Sequence, residues 1–175
     1  MILYRNTQPK KSKIERPIRT LNIDIEEPPE RPKFLDRSAK ERRKFITTIE
    51  QIVRSSDEYK GYIKYLKEHF DMSHCEIFPG VRSSNGKKYS IDIHHEPFYL
   101  AWIVDTVLRK RQDLQESLNP FMIADEVMDL HYKGWVGLIP LSKTAHELVH
   151  SDRIIIPLQL SLIHISEPTR RTPIS

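Results

Sequence analysis

The sequence of 175 residues predicts a single-domain α+β protein preceded by an arm. Three observations predict this class. Several stretches place apolar residues at helical spacing, one stretch alternates apolar and polar residues before a pair of histidines, and a later apolar stretch leads into a helix with two more histidines. Hydrophobic residues make up 38% of the chain and charged residues 30%, which is enough for a modest core.

Composition excludes several classes of protein. The 28 Lys and Arg residues against 24 Asp and Glu residues are only mildly basic, so net charge argues weakly for a polyanionic partner. The single cysteine, Cys75, excludes an intramolecular disulfide and suits a reducing compartment. No apolar run approaches the roughly 18 residues that span a bilayer, and no charged-then-apolar leader opens the chain. We therefore expect a cytoplasmic protein with no membrane partner, in the host cytoplasm if a phage encodes it.

Residues 1–37 are predicted to be a basic, proline-containing, disordered arm. Proline fixes φ and removes a donor, and the flanking charges resist burial. The prolines are Pro9, Pro17, Pro28, Pro29 and Pro32. The first twenty positions contain one acidic residue, Glu15, and six basic residues, which are Arg5, Lys10, Lys11, Lys13, Arg16 and Arg19. Such an arm can lie along nucleic-acid phosphates or remain a solvated tail, and both interpretations stay open.

Residues 38–72 are predicted to form a helical hairpin. Apolar residues at helical spacing predict an amphipathic helix over 38–55. The stretch Ser55-Ser56-Asp57-Glu58 supplies a cap and an acidic first turn for a second helix that reaches about Phe70. The aromatic stripe of this second helix is more typical of core packing than of stacking on bases.

A β-hairpin is predicted next. Residues 75–81 and 88–94 have strand character, and Asn85-Gly86 between them is a strong two-residue turn signal. The second strand alternates apolar and polar residues and ends on the paired histidines His94 and His95.

The helical period returns after this hairpin. Residues 98–108 predict a helix that frays into a loop over 109–116. Asn119 followed by Pro120 indicates the start of another helix, which runs to His131 and is stopped by Gly134.

The last predicted elements carry the second histidine pair. Residues 136–141 predict a short strand, and a capping box at Thr144 to Glu147 predicts a helix that begins near 142–144 and reaches His150. Residues 153–158 predict a final strand.

Four of the histidines form a candidate metal centre. His146 and His150 stand one helical turn apart on the same face, so both can reach one ion. A strand places His94 and His95 on opposite faces, so one can bind metal while the other points at substrate. Three imidazoles with an open position describe a catalytic site, where a metal stabilises charge on a scissile phosphate and the remaining histidine activates water. The expected cofactor is one divalent ion, with Zn, Ni and Mn favoured over Mg by ligand softness and availability still able to decide.

Other residues near this pattern have simpler interpretations. His131 ends a helix, where a charge interaction with the helix C-terminus explains it as well as a ligand role does. His74 and Cys75 lack a second ligand pair and are interpreted as structural. Glu96 either orients a histidine from outside the ligand set or only begins the next helix.

These motifs resemble a known family. IDIHHEP at 91–97 is similar to the paired-histidine strand of the nuclease colicins, and VGLIPLSKTAHELVH at 136–150 resembles the closing strand and metal helix of HNH (His-Asn-His, ββα-metal) endonucleases. The resemblance is phage-type and covers the predicted domain at 73–159. It implies a ββα-metal core, hydrolysis of DNA phosphodiester bonds with one divalent ion, His94, His146 and His150 as metal ligands, and His95 as general base.

The sequence departs from this family at one motif position. The family's asparagine lies nine residues before the first helix histidine, where this chain has Gly137, and the cysteine pairs of many members are absent. The alternative is therefore a catalytically inactive protein of the same fold that binds nucleic acid or associates with the virion. A third hypothesis is a zinc-stabilised interaction module without salt-dependent DNA affinity.

Residues 160–175 have a separate origin in our interpretation. LSLIHISEPTRRTPIS resembles the conceptual translation of a transposase-type sequencing adapter followed by its index. We therefore exclude this segment, with His164, from the predicted domain.

Overall fold

A computed structural model describes Arg16, residues 38–78, 80–83 and 90–157, and Leu160. This part of the chain contains five helices and a two-stranded antiparallel sheet, which confirms the α+β class. The helices are α1 Ala39–Ser55, α2 Asp57–His69, α3 Leu100–Asp113, α4 Pro120–Tyr132 and α5 Lys143–His150, and the strands are β1 Ile91–His95 and β2 Leu138–Ser142. Within the described residues, no helix is both long and apolar enough to cross a bilayer.

The first two helices begin where their capping residues predict. Ser38 and Glu41 form a reciprocal capping box at the start of α1. The Ser56 hydroxyl accepts a hydrogen bond from the Tyr59 backbone N–H at the start of α2, 3.1 Å away. The two helices differ from the predicted hairpin in their packing, because α1 makes its most extensive contacts with α4 rather than with α2.

Of the next two helices, α3 extends beyond its predicted end, whereas α4 agrees with prediction at both ends. α3 continues to Asp113, so the loop predicted over 109–116 is wrong for its first half. Lys110 and Arg111 there donate to the two carboxylate oxygens of Glu126 on α4, at 2.6 and 2.8 Å, which holds the last turn of α3. Asn119 caps α4 as predicted, and Gly134 follows α4 with a positive φ of 69°.

Two predicted strands do not form. Residues 75–78 and 80–81 fold into a turn-rich segment, in which the Cys75 N–H donates to the Val81 carbonyl at 2.8 Å. The Glu76 N–H donates to the Pro140 carbonyl at 2.9 Å, so this segment touches β2 through one hydrogen bond instead of a ladder. Residues 153–157 have no strand either. The predicted turn at Asn85-Gly86 lies outside the described residues.

The partner of β1 is therefore β2. Ile91 lies opposite Ser142 and His95 lies opposite Leu138, with the strands antiparallel throughout. A small hydrophobic cluster joins α5 to this sheet. Its buried residues are Cys75, Ile91, Ile139, Leu141, Ala145, Val149 and Ile156. This small cluster fixes α5 against the sheet.

The main hydrophobic core is built by the four longer helices. Buried residues from α1, α2, α3 and α4 form one cluster that also includes Val136 and Leu138 at the start of β2. The helices predicted at 38–72 thus share their core with the segment predicted as a separate domain at 73–159. Burial of this common apolar surface is the main stabilising contribution.

Arg16 is the one described residue of the predicted arm. Its Nε donates to Glu58 Oε1 on α2 at 2.9 Å, and its two terminal nitrogens bind Asp125 and Asp129 on α4. Its guanidinium also lies 5.9 Å from the centre of the Tyr132 ring. At this position the arm is bound to the protein's own carboxylates, which differs from a disordered arm with a cation free for phosphate. The rest of residues 1–37 lies outside the described residues.

We expect Arg16→Gln to lower the free energy of unfolding by about 1–3 kcal/mol, because charge-assisted bonds to three carboxylates on two helices are lost. Urea denaturation followed by circular dichroism measures the change. Arg109→Gln is the matched control, since Arg109 pairs with Asp105 while 69% exposed, and exposed pairs contribute about 0.2–1 kcal/mol. Equal effects at both arginines would contradict a structural role for Arg16.

Candidate metal centre

The strand β1 presents histidines on both of its faces. Successive side chains of a strand point in opposite directions, so the adjacent His94 and His95 diverge. His94 is directed at α5, and His95 is directed at α2 and α4. Pairing with Ile139 and Leu138 of β2 fixes this register.

The helix α5 supplies the other two imidazoles. Ser142 caps it by accepting a hydrogen bond from the Ala145 N–H at 3.3 Å, so the helix starts within the predicted range 142–144 but with its cap at Ser142 rather than at the predicted capping box of Thr144 to Glu147. Ala145 and Val149 are buried against the sheet. His146 and His150 each follow one of these buried residues, so they emerge on the adjacent side of the helix, one turn apart.

These elements bring three of the predicted residues together. The candidate ligand nitrogens of His94, His146 and His150 all lie within 4.8 Å of one another. The Nε2 atoms of His146 and His150 are 3.2 Å apart, and the His94 ring centre lies 5.0 Å from that of His146 and 5.2 Å from that of His150. Burial falls from His94, which is 4% exposed, through His146 to the exposed His150.

Electrostatics favour the neutral form of His94 and of His146. Burial, followed by the proximity of His146 and His150, lowers the pKa of His94 to about 4. Burial, followed by His150, also lowers the pKa of His146. Neutral imidazole is the form that binds a metal ion.

The residues present fit a divalent metal ion. His94 Nε2 is buried and has no hydrogen-bond partner, although unpaired buried polar atoms are rare in folded proteins. Three imidazoles that converge on one point are a common ligand set for zinc, in which each Zn–N bond is about 2.0–2.1 Å. A divalent ion at the centre of His94, His146 and His150 would satisfy the unpaired nitrogen.

Two further residues border this site and were missed or left undecided by the sequence. Glu96 Oε2 lies 3.5 Å from His94 Nε2, and burial raises the pKa of Glu96. Its position two residues after His94, on the same side of an extended chain, was the available signal. The Tyr99 ring stacks on His150 at 6.1 Å and meets His94 edge-on at 5.9 Å. No sequence pattern indicated Tyr99.

The structure does not bring His95 to this site. His95 is 3% exposed, and its Nε2 lies 3.0 Å from Nε2 of His131. Its ring also stacks against Tyr59 at 6.3 Å. The predicted general base therefore lies on the opposite face of β1 from the three metal-site histidines, between β1, α2 and α4.

His131 determines the tautomer of His95. His131 Nδ1 lies 2.8 Å from the Val127 carbonyl oxygen and must carry the proton, because a carbonyl can only accept. In the neutral ring, His131 Nε2 is then the acceptor, and His95 Nε2–H donates to it. Burial lowers the pKa of His131 to about 4, partly offset by the Val127 bond, and burial followed by His131 holds the pKa of His95 well below its usual value. Both rings are thus neutral, which differs from the predicted charge interaction of His131 with the helix C-terminus.

Gly137, at the motif's asparagine position, is in close contact with the end of β1. The Glu96 N–H donates to the Gly137 carbonyl at 3.0 Å. A Cβ atom at position 137 would lie 1.9 Å from the Glu96 carbonyl oxygen and 3.3 Å from Cδ of Pro97. No side chain fits there unless the two strands move apart.

Comparison with protein families relates this chain to a family of phage proteins. A family model described as Bacteriophage G278-like virion protein matches residues 10–163. No HNH endonuclease family matches, while the phage character of the matched family agrees with the phage-type resemblance. Searches of curated proteins and of solved structures return no match. The matched range includes the first four residues of the segment predicted to derive from an adapter, and that origin stays a prediction.

Gly137→Ala is expected to lower the free energy of unfolding by about 1–3 kcal/mol, because the added methyl group forces two backbone segments apart. Gly137→Asn, which introduces the motif residue, is expected to lower the free energy of unfolding by at least the same amount. Gly61→Ala is the matched control, since Gly61 lies inside α2 and a Cβ atom there would meet nothing within 4 Å, and the exchange there should stabilise by about 1 kcal/mol. Thermal and urea denaturation measure the stability of the variants. An unchanged free energy of unfolding in Gly137→Ala would contradict the close contact.

His131 makes the protein sensitive to acid. Its folded pKa of about 4 is below the unfolded value of 6.5, so the unfolded chain binds the extra proton and stability falls as pH drops from 6.5 towards 4. The full loss from this group is about 3 kcal/mol. We expect His131→Gln to flatten the dependence of unfolding free energy on pH across this window.

Urea denaturation at a series of pH values between 7 and 4 measures that slope. His69→Gln, at an exposed histidine at the end of α2, controls for the loss of one imidazole. An unchanged slope in His131→Gln would contradict the role assigned to this buried ring.

Proposed function

Because this chain belongs to the Bacteriophage G278-like virion protein family, we propose that it is a virion-associated phage protein whose three-histidine site binds one divalent metal ion for stability. In this proposal the protein does not cleave nucleic acid. The observation that carries the metal site is the convergence of His94, His146 and His150 around an unpaired buried nitrogen. The family description carries the association with the phage particle.

A bound metal would join elements that otherwise share few contacts. His94 lies on β1, while His146 and His150 lie on α5, a helix of eight residues that only a small hydrophobic cluster holds to the sheet. An ion that binds the folded chain and not the unfolded chain stabilises by mass action, by about 2.7 kcal/mol at one hundred times its dissociation constant. Small domains commonly use such metal sites to supplement a limited core.

The position of His95 supports a role without catalysis. A general base must reach the proton that it removes, either directly or through one water. His95 is buried on the far face of β1, and its Nε2–H is donated to His131. Only Nδ1 of His95 could then accept a proton, and it belongs to a ring that is 3% exposed and directed away from the three-histidine site.

The position of Gly137 supports the same role. In the family that this stretch resembles, an asparagine at this position holds the catalytic strand in place. Here the Glu96 backbone occupies the space that the first atom of any side chain would need. The backbone around position 137 therefore cannot accommodate an asparagine side chain unless it moves.

Endonuclease activity on DNA is the second candidate, and one observation favours it. β1 and β2 pair antiparallel and α5 directly follows β2, which places three imidazoles at one edge, as the HNH resemblance implies. His150 is exposed, so a phosphate could approach the site. When bound, a divalent ion would polarise that phosphate and stabilise the leaving oxygen. The chain would have to supply a base other than His95 as it is placed here.

Metal-dependent melting combined with plasmid nicking tests the proposal. Metal-free protein is melted with and without zinc, manganese, nickel or magnesium, and the same samples are incubated with supercoiled plasmid. We expect at least one ion to raise the melting temperature, His146→Gln to abolish that rise, and no nicking with any ion. His69→Gln is the matched histidine control.

The remaining outcomes separate the candidates. Melting that no ion changes would contradict the metal site. Nicking that His146→Gln abolishes would establish the endonuclease in place of the stabilised virion protein, and the effect of His95→Ala would then show whether His95 or another group is the base.

A further inference from the structure

We propose that Glu96 is a fourth protein ligand of the three-histidine site, so that the site closes around its metal ion with three imidazoles and one carboxylate. This inference rests on the metal binding proposed above. It assigns a specific role to a residue that follows β1 immediately. It also predicts the coordination number, which decides whether the site can act on a substrate.

The first support is where the carboxylate lies. Glu96 Oε2 is 3.5 Å from His94 Nε2, the atom that is buried, unpaired and directed at His146 and His150. This contact lacks the geometry of a hydrogen bond. Two metal-binding groups therefore face each other across a gap that no hydrogen bond bridges.

The second support is the size of that gap. In a tetrahedral site with bonds of about 2.0–2.1 Å, neighbouring ligand atoms are about 3.3–3.4 Å apart. The His94 Nε2 to Glu96 Oε2 distance of 3.5 Å and the His146 Nε2 to His150 Nε2 distance of 3.2 Å both match this edge. These are two of the six edges of a tetrahedron. The residues whose ligand atoms already lie within 4.8 Å of one another are His94, His146 and His150, so the Glu96 side chain must rotate towards them to complete the site.

The third support is charge. The Glu96 side chain is only 19% exposed, and no Lys or Arg pairs with it among the residues that the structure describes. Buried charges in proteins are normally paired or bind metal. Three neutral imidazoles leave both positive charges of a divalent ion uncompensated, and Glu96 would neutralise one of them.

The backbone holds Glu96 in this position. Its N–H donates to the Gly137 carbonyl, and its own carbonyl oxygen fills the space beside the Gly137 Cα. The residue is thus fixed at the end of β1 rather than carried by a free loop. Its side chain has only to select a rotamer to reach the ion.

Four protein ligands would leave no position open. Structural zinc sites have four protein ligands, whereas catalytic sites keep one position for water or substrate. A three-histidine, one-glutamate set would therefore stabilise the fold and exclude a phosphate from the metal. This accounts for a site with nuclease-like histidines in a protein that we propose to be non-catalytic.

Zinc affinity of the full chain tests the proposal. Metal-free wild type, Glu96→Gln and Glu96→Asp compete for zinc with a chromophoric chelator, and visible spectra of the cobalt-loaded proteins report the coordination number. We expect Glu96→Gln to weaken zinc binding about 10- to 100-fold and to change the cobalt spectrum. Glu147→Gln is the matched control, because Glu147 lies next to His146 but is 67% exposed and contacts Lys143, so its affinity should stay within about twofold of wild type.

Each outcome decides the proposal. Zinc affinity and a cobalt spectrum that are the same in Glu96→Gln and wild type would overturn it and leave the three-histidine site intact. Absence of zinc binding in the wild type would instead overturn the metal site itself. Because Glu96→Asp keeps the charge but shortens the side chain, intermediate affinity in that variant would support a direct bond, and it provides a second test if Glu96→Gln does not fold.

Discussion

The antiparallel pairing of β1 with β2 is the constraint on which the rest of the site depends. Five residue pairs set one register, and a strand alternates its side chains with a period of two. A shift by one residue would turn His94 into the helical core and His95 towards α5. The burial pattern opposes that shift, because Ile93 would turn away from the helical core that it packs against and the exposed Asp92 would turn towards it.

This register gives the two adjacent histidines unlike environments. His94 meets two other imidazoles at an edge that opens to solvent through His150, while His95 joins Tyr59 and His131 inside the helical core. One face of the strand is suited to a cation, and the other is a neutral hydrogen-bonded pair that locks strand to helix. A motif interpreted as one functional pair is thus divided between a ligand site and a structural contact.

The sequence predicted the helices and the proximity of His146 and His150 because both depend on local signals. Ser38, Ser56, Asn119 and Ser142 lie at helix starts, and the spacing of His146 and His150 alone places them on one face. Strand partners depend on distant segments. The hairpin predicted between residues 75–81 and 88–94 therefore does not form, and β1 pairs with β2 instead. The role of His95 failed to follow from sequence for the same reason, since His131 reaches it from a helix 36 residues away.

Gly137 and Glu96 are two sides of one structural feature. In the family that the histidine strand resembles, a side chain at position 137 would brace the strand, but here that bracing comes from a backbone contact that only glycine allows. The same contact fixes the main chain of Glu96, whose carboxylate then faces the unpaired nitrogen of His94. The glycine at position 137 and the carboxylate beside the site are therefore coupled by geometry. In the proposed site this carboxylate would help to hold the metal ion while occupying the open position that hydrolysis requires.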